Sequence, residues 1–151
     1  MTYRAQVVIL ALAISITPAL ACSRSRSASI DILKRAQVII RAKIVSYEYE
    51  PGPLGTFAHF KFQTVETLAG ARNVKSWSAR WSHSTFKMPK TWTGPTEVIV
   101  GLRPVVADDG ALVMQVVQQG CARPSLFADT PENVALSRDH VLSAEINRFD
   151  E

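Results

Sequence analysis

The chain has 151 residues and carries 17 Lys and Arg against 13 Asp and Glu, a formal net charge of +4. So small a surplus of positive charge does not indicate a nucleic-acid-binding protein. After an N-terminal apolar run, no second stretch approaches the roughly 20 apolar residues that a membrane-spanning helix needs. Length and composition therefore predict a single domain with a hydrophobic core.

The first 21 residues have the three parts of a cleaved secretory signal peptide. Arg4 supplies the positive charge, and residues 7–16 (VVILALAISI) form an apolar run of the length typical of a signal peptide. Pro18 then ends the helix, and residues 19–21 (ALA) provide the small residues of a cleavage site. The sequence predicts a secreted or periplasmic protein whose mature form, residues 22–151, is one domain.

The mature chain has two cysteines, Cys22 and Cys121. In an oxidising compartment they are expected to form a disulfide, which would close a loop of about 100 residues and contribute about 4.7 kcal/mol in the chain-entropy model. The alternative is lipidation of Cys22, because a lipobox also places a cysteine after small residues. A lipobox usually has Leu where this chain has Ala19, so the disulfide is favoured. The two fates exclude each other, since a lipidated sulfur cannot pair.

The predicted elements follow a Ser/Arg-rich lead-in over residues 23–29. Ser29 is expected to cap a short helix at residues 30–36. Alternation of apolar and polar residues then predicts β-strands, because successive side chains of a strand point to opposite faces. The five predicted strands are residues 37–49, 56–68, 74–83, 97–106 and 111–118.

Four features refine this reading. The alternation slips near Val65, which indicates a β-bulge in the second strand. The fourth strand is apolar on both faces and is expected to be central. Residues 84–95 lack a period and contain two prolines, so they predict a long connection. Thr130 begins a C-terminal helix that runs to about Phe149 and is expected to bury Leu142, Ile146 and Phe149.

Five strands in close succession with helices only at the two ends predict a mainly β fold, a five-stranded antiparallel barrel. Several segments resemble the bacterial domains of the tissue-inhibitor-of-metalloprotease-like, netrin-module family. They are Cys22 directly after the signal, AQVIIRAKIVS at residues 36–46, FKFQTVETLAG at residues 60–70, GPTEVIVGL at residues 94–102 and GCARP at residues 120–124. The resemblance implies an OB-type barrel to which a disulfide ties Cys22. It also implies that the mature N-terminus engages a protein partner, a metalloprotease being the family example.

The sequence shows no catalytic or metal-binding pattern. His59, His83 and His140 are widely separated, and no HExxH, GxSxG, Walker or GxGxxG motif occurs. Glu48 and Glu50 lie on one side of a strand end, which is typical of a solvated edge. The prediction is a non-enzymatic binding module that needs no cofactor and no metal.

Cations and aromatic side chains alternate between residues 61 and 103, as on a surface that holds a polyanion or stacks on sugar rings. Trp77 and Trp81 alternate with serines, which favours a place in the core. Trp92 lies in the irregular connection beside Lys90 and is predicted to be an exposed contact. The basic residues of the stretch are Lys61, Arg72, Lys75, Arg80, Lys87, Lys90 and Arg103, and its aromatic residues include Phe86.

Two classes of partner are therefore expected. The favoured one is a protein, bound through Cys22, Ser23 and Arg24 at the N-terminal edge and through Lys90 and Trp92. The alternative is an acidic glycan or similar polyanion of the envelope. It ranks second because cleavage removes Arg4 and leaves a net charge of only +3, against +4 for the whole chain. A lipid-anchored structural role through Cys22 is a further alternative.

Overall fold

The computed structural model describes residues 27–52, 55–83, 88–120 and 122–149. The predicted signal peptide, the Cys22–Cys121 disulfide and the proposed contacts of Ser23 and Arg24 lie outside these residues. In the part of the chain that is described, neither helix has the length and apolarity required to cross a bilayer.

Strands dominate the described chain, and helices occur only at its two ends. A short 3₁₀-helix, Ile30–Arg35, is capped by Ser29, whose Oγ accepts a hydrogen bond from the backbone N–H of Asp31 at 3.3 Å. At the other end Thr130 Oγ1 accepts from the backbone N–H of Asn133 at 3.2 Å. The elements between and after these caps are β1 (Val38–Gly52), β2 (Gly55–Ala69), β3 (Ser76–His83), β4 (Glu97–Val106), β5 (Leu112–Val116), β6 (Leu126–Ala128) and α1 (Pro131–Phe149).

All six strands belong to one sheet, and the first five form a ring in the order β1-β2-β3-β5-β4, which β1 and β4 close by pairing with each other. The mainly β prediction is confirmed, but the expectation of purely antiparallel pairing is wrong at one junction. β3 and β5 are parallel and meet through the single residue pair Arg80 and Gln115. Strand direction cannot alternate all the way round a closed ring with an odd number of strands, so one junction has to be parallel.

The main core fills the inside of the ring. Phe60, Phe62 and Trp81 are its largest members, and none is more than 1% exposed. Burial of side chains of this size contributes about 1.5–3 kcal/mol each. Trp77 packs against the same cluster. The prediction that Trp77 and Trp81 belong to the core is therefore confirmed.

β4 separates the main core from a smaller one, as its two-sided apolar pattern predicts. Val98 and Val100 face the inside of the ring, whereas Ile99 packs with Ile32 and Leu33 of the 3₁₀-helix. Val134 and Val141 of α1 cover this second core. The side chains of Leu142, Ile146 and Phe149, which were expected to be buried, are outside the described residues.

The bulge expected near Val65 is present. Arg41 pairs with Glu66 and Ala42 with Thr64, so Val65 has no partner residue on β1. The same hairpin skips Val45 on the other strand. Both valines are more than half exposed, because a bulge turns its extra side chain away from the core.

An ion-pair cluster ties β1 and β2 to the C-terminal part of the chain. Arg41 Nε lies 2.9 Å from Asp129 Oδ1, and its Nη1 lies 2.7 Å from Glu66 Oε2. Arg138 of α1 donates to the other oxygen of Glu66 at 2.7 Å. Hydrogen bonds donated by Arg41 and Arg138 lower the pKa of Glu66, and the hydrogen bonds that Arg41 donates to Asp129 and Glu66 raise the pKa of Arg41.

Candidate binding site

A cavity of about 620 Å³ lies beside the connection between β3 and β4. The described part of this connection, residues 88–96, forms one wall. β6 and the residues that precede it form another. Ser27 and Ala28, where the described chain begins, form a third wall. The remaining lining residues are Trp81, Pro89, Trp92, Thr93, Gly94, Pro95, Arg123, Pro124, Leu126, Phe127, Ala128 and Asn133.

Trp92 is the largest side chain of the loop wall. Its ring is half-buried and stands edge-on to Phe60 of the core, with centroids 5.2 Å apart and planes at 84°. Its Nε1 donates to the carbonyl oxygen of Pro95 at 2.9 Å. A Cβ atom on Gly94 would lie only 2.3 Å from the indole, so a larger residue at position 94 would force the indole or the loop to shift.

The connection is held firmly although it has no regular secondary structure. Tyr47 of β1 donates from its hydroxyl to the carbonyl oxygen of Pro89 at 2.6 Å. Met88 is buried in the main core, and the backbone N–H of Ile44 donates to Thr96 O at 2.8 Å. Burial raises the pKa of Tyr47, so the hydroxyl keeps its proton to higher pH. The loop wall is therefore preformed.

The other two walls are positioned from different parts of the sequence. The backbone N–H of Ser29 donates to Gln119 Oε1 at 3.1 Å, which fixes the N-terminal segment against the residues that follow β5. β6 pairs with β4, and Asn133 Nδ2 donates to Ala128 O at 2.9 Å, which joins β6 to α1. Three segments far apart in the sequence thus meet around one cavity.

Ser27 and Ala28, the first described residues, line the same cavity as Trp92, which is one of the predicted contacts. Cys22, Ser23 and Arg24, the predicted N-terminal contacts, precede them and lie outside the described residues. Lys90 is exposed on the loop that contains Trp92, as expected. Trp92 is half-buried against the core rather than freely exposed, because Phe60 and Tyr47 pack on its ring.

Among the described residues of the 61–103 stretch, the tryptophans of β3 do not share an exposed face with the basic side chains. Trp81 is fully buried and Trp77 packs against the core. Lys61, Arg72 and Lys75 are exposed but lie on β2 and on the turn that follows it. Phe86 and Lys87 lie outside the described residues. The tryptophans of β3 are thus not placed to stack on a ligand.

Sequence reasoning did not identify the β6 wall of the cavity. Leu126, Phe127 and Ala128 form a strand of three residues, which is too short to show an alternation. Arg123 and Pro124 precede it and also line the cavity. The only local signal was the Gly-Cys-Ala-Arg-Pro segment, which the family resemblance had singled out for its cysteine.

The described residues contain no group of three His, Cys, Asp or Glu side chains that could hold a metal ion. His59 Nε2 lies 2.9 Å from Glu50 Oε2 at the exposed end of the β1–β2 hairpin. Glu48 is exposed on the same strand. These side chains form a solvated edge, as their spacing predicts.

No protein-family model matches the chain. No curated protein matches its sequence either.

Proposed function

We propose that the mature chain is an exported, non-catalytic binding module of the OB type, which holds a segment of a partner protein in the 620 Å³ cavity. The observation that carries the proposal is that Ser27 and Ala28, a few residues after the predicted mature N-terminus, line one cavity with the loop that contains Trp92. A ring of five strands supports the OB assignment, since OB barrels consist of five strands and bind through loops at their ends.

The lining indicates the chemistry of the partner segment. Pro89, Trp92, Pro124 and Phe127 present an apolar surface on both walls. A partner that inserts one side chain of leucine or phenylalanine size would gain about 1.5–3 kcal/mol from its burial. Such a concave apolar site with few polar groups is the usual form of a recognition pocket.

Two exposed cations lie near this apolar surface. Arg123 lines the cavity and Lys90 lies on its loop wall, and both are exposed. Among the residues that the structure describes, neither forms an ion pair. The partner segment is therefore expected to flank its apolar side chain with Asp or Glu. Charges at the rim steer association more than they add affinity.

The cavity can be tested by filling it. Ser27 is exposed, lies before the first regular element and lines the cavity, so Ser27→Trp should occlude the cavity without disturbing the fold. Ser78→Trp is the matched control, because Ser78 is an exposed serine on the outer face of β3. A photoreactive amino acid at Thr93 in exporting cells should cross-link one specific protein.

Ser27→Trp should abolish this cross-link and Ser78→Trp should leave it. An unchanged cross-link in the Ser27→Trp variant would contradict the proposal. The part of the proposal that rests on Cys22 is tested separately by one extra residue before Cys22, which should weaken binding if the mature N-terminus enters the partner. Binding of the mature protein to recombinant metalloproteases tests directly whether the partner is a metalloprotease.

Ionic strength separates this function from the polyanion alternative. Binding that buries apolar surface should change little between low and high salt, whereas polyanion binding should fall steeply. Trp92→Ala combined with Lys90→Ala would weaken either mode. The polyanion alternative has less support, because Trp81 is buried and Trp77 packs on the core.

A further inference from the structure

We propose a second binding site, for a small carboxylate, on the outer face of the ring where β3 meets β5. This is the parallel junction, and its strands share only the pair Arg80 and Gln115. A cavity of about 240 Å³ opens there. It has room for one sugar ring or one amino acid.

The strand register places donor groups in one row across this junction. Arg80 on β3 lies opposite Gln115 on β5, and Gln115 lies opposite Arg103 on β4. Arg103 is two strands away from Arg80 and donates to Gln115, so Arg80 is the arginine that lines the cavity. All three side chains point outward, because their neighbours along each strand, such as Ala79 and Trp81 on either side of Arg80, face the core.

Arg80 is already oriented for such a ligand. Its Cζ lies 3.4 Å from the centroid of the Phe57 ring, so the guanidinium stacks on an aromatic surface. No carboxylate within the described ranges pairs with it. Its Nε is inaccessible to solvent and has no hydrogen-bond partner among the described residues. A half-buried guanidinium with unused donors favours an anion.

The neighbouring polar groups also present donors. Gln115 Nε2 donates to Ser82 Oγ at 2.6 Å, while its Oε1 accepts from Arg103 Nη2 at 3.4 Å. The amide oxygen of Gln115 thus already accepts a hydrogen bond. Ser82 Oγ accepts from Gln115, which leaves the hydroxyl proton of Ser82 for another acceptor. Asp108 also lines the cavity. A ligand that satisfies both Arg80 and Asp108 carries one carboxylate and a hydrogen-bond donor close to it.

This chemistry is shared by acidic sugars and α-amino acids, and titration separates the two sources. Glucuronate and alanine are added to the isotope-labelled mature protein, with glucose as the uncharged comparison, and backbone amide shifts are followed by NMR. Saturable shifts at residues 80, 82 and 115 are expected for carboxylates and not for glucose. The tighter of the two carboxylates identifies the source.

Two variants test the role of Arg80. Arg80→Gln removes the guanidinium that lines the cavity and should weaken carboxylate binding about tenfold, the effect of one lost charge-assisted hydrogen bond, while its amide spectrum shows whether the variant is folded. Lys61→Gln removes the same charge from an exposed position on β2 outside the cavity and should have no effect. Ser27→Trp, which fills the other cavity, should also leave carboxylate binding unchanged.

Three results would overturn the proposal. They are equal binding by folded Arg80→Gln and Lys61→Gln, binding of glucose as tight as that of glucuronate, and shifts that fail to saturate with either carboxylate. None of them bears on the partner-protein site, because that site lies on other residues.

Discussion

The hydroxyl of Tyr47 donates a hydrogen bond of 2.6 Å to the carbonyl oxygen of Pro89, which ties the loop wall of the cavity to β1. The two residues are 42 positions apart in the sequence. Their contact is what gives an irregular connection a defined position, and it leads to the first prediction.

Tyr47→Phe should lower the free energy of unfolding by about 1 kcal/mol, because the carbonyl of Pro89 loses its partner. Urea unfolding measures the change, and amide exchange should show faster opening of residues 88–95. Tyr49→Phe is the control: Tyr49 is a half-buried tyrosine of the same strand whose hydroxyl has no hydrogen bond within the described residues. Equal effects of the two variants would contradict this account.

Gly94→Ala should displace the loop wall and the indole of Trp92, since the new methyl group would lie 2.3 Å from the ring. We expect a loss of about 1–3 kcal/mol in stability, the usual cost of overpacking, and a shift of tryptophan fluorescence. Gly120→Ala should be close to neutral, because a Cβ there meets no atom within 4 Å. An unchanged emission spectrum of Gly94→Ala would show that the loop does not pack as described.

Glu66→Gln should destabilise the protein at neutral pH by about 1 kcal/mol, a value that allows for the partial exposure of the carboxylate. Glu97→Gln is the control, because the Lys43–Glu97 pair is more than half exposed on both sides and is expected to contribute little.

The effect of Glu66→Gln should disappear in acid. The pKa of Glu66 is lower in the folded protein than in the unfolded chain, so its stabilisation is complete above the unfolded pKa. It is lost as the pH falls through the folded pKa, when the carboxyl becomes protonated in both states. Unfolding curves of the parent and the variant should therefore converge below the usual range of glutamate. A constant difference down to the lowest pH would rule out this origin.

The mature protein should carry a Cys22–Cys121 disulfide and no lipid. Intact-mass spectrometry of the exported protein, before and after reduction and alkylation, should show both thiols only after reduction. Fractions from the membrane and the soluble envelope should be measured side by side. A diacylglycerol adduct on Cys22, or two free thiols in the exported protein, would contradict the disulfide and favour one of the alternatives.

Local sequence information determined all the described elements of this protein except β6. Ser29 and Thr130 cap the two helices as expected, because a cap depends on residues two or three positions away. The two-sided apolarity of β4 and the bulge at Val65 were also readable, since each follows from the order of side chains along one strand. The mainly β class follows from these patterns together.

Only the tertiary structure decided how the elements meet. The parallel junction at Arg80 and Gln115 follows from closing five strands into a ring, a property of the whole sheet that no single strand encodes. The strand Leu126–Ala128 exists because it pairs with β4. Ser27 and Trp92 line one cavity because the fold brings two distant segments of the chain together. Alternation and capping act over a few residues, whereas a cavity depends on which distant surfaces are buried against each other.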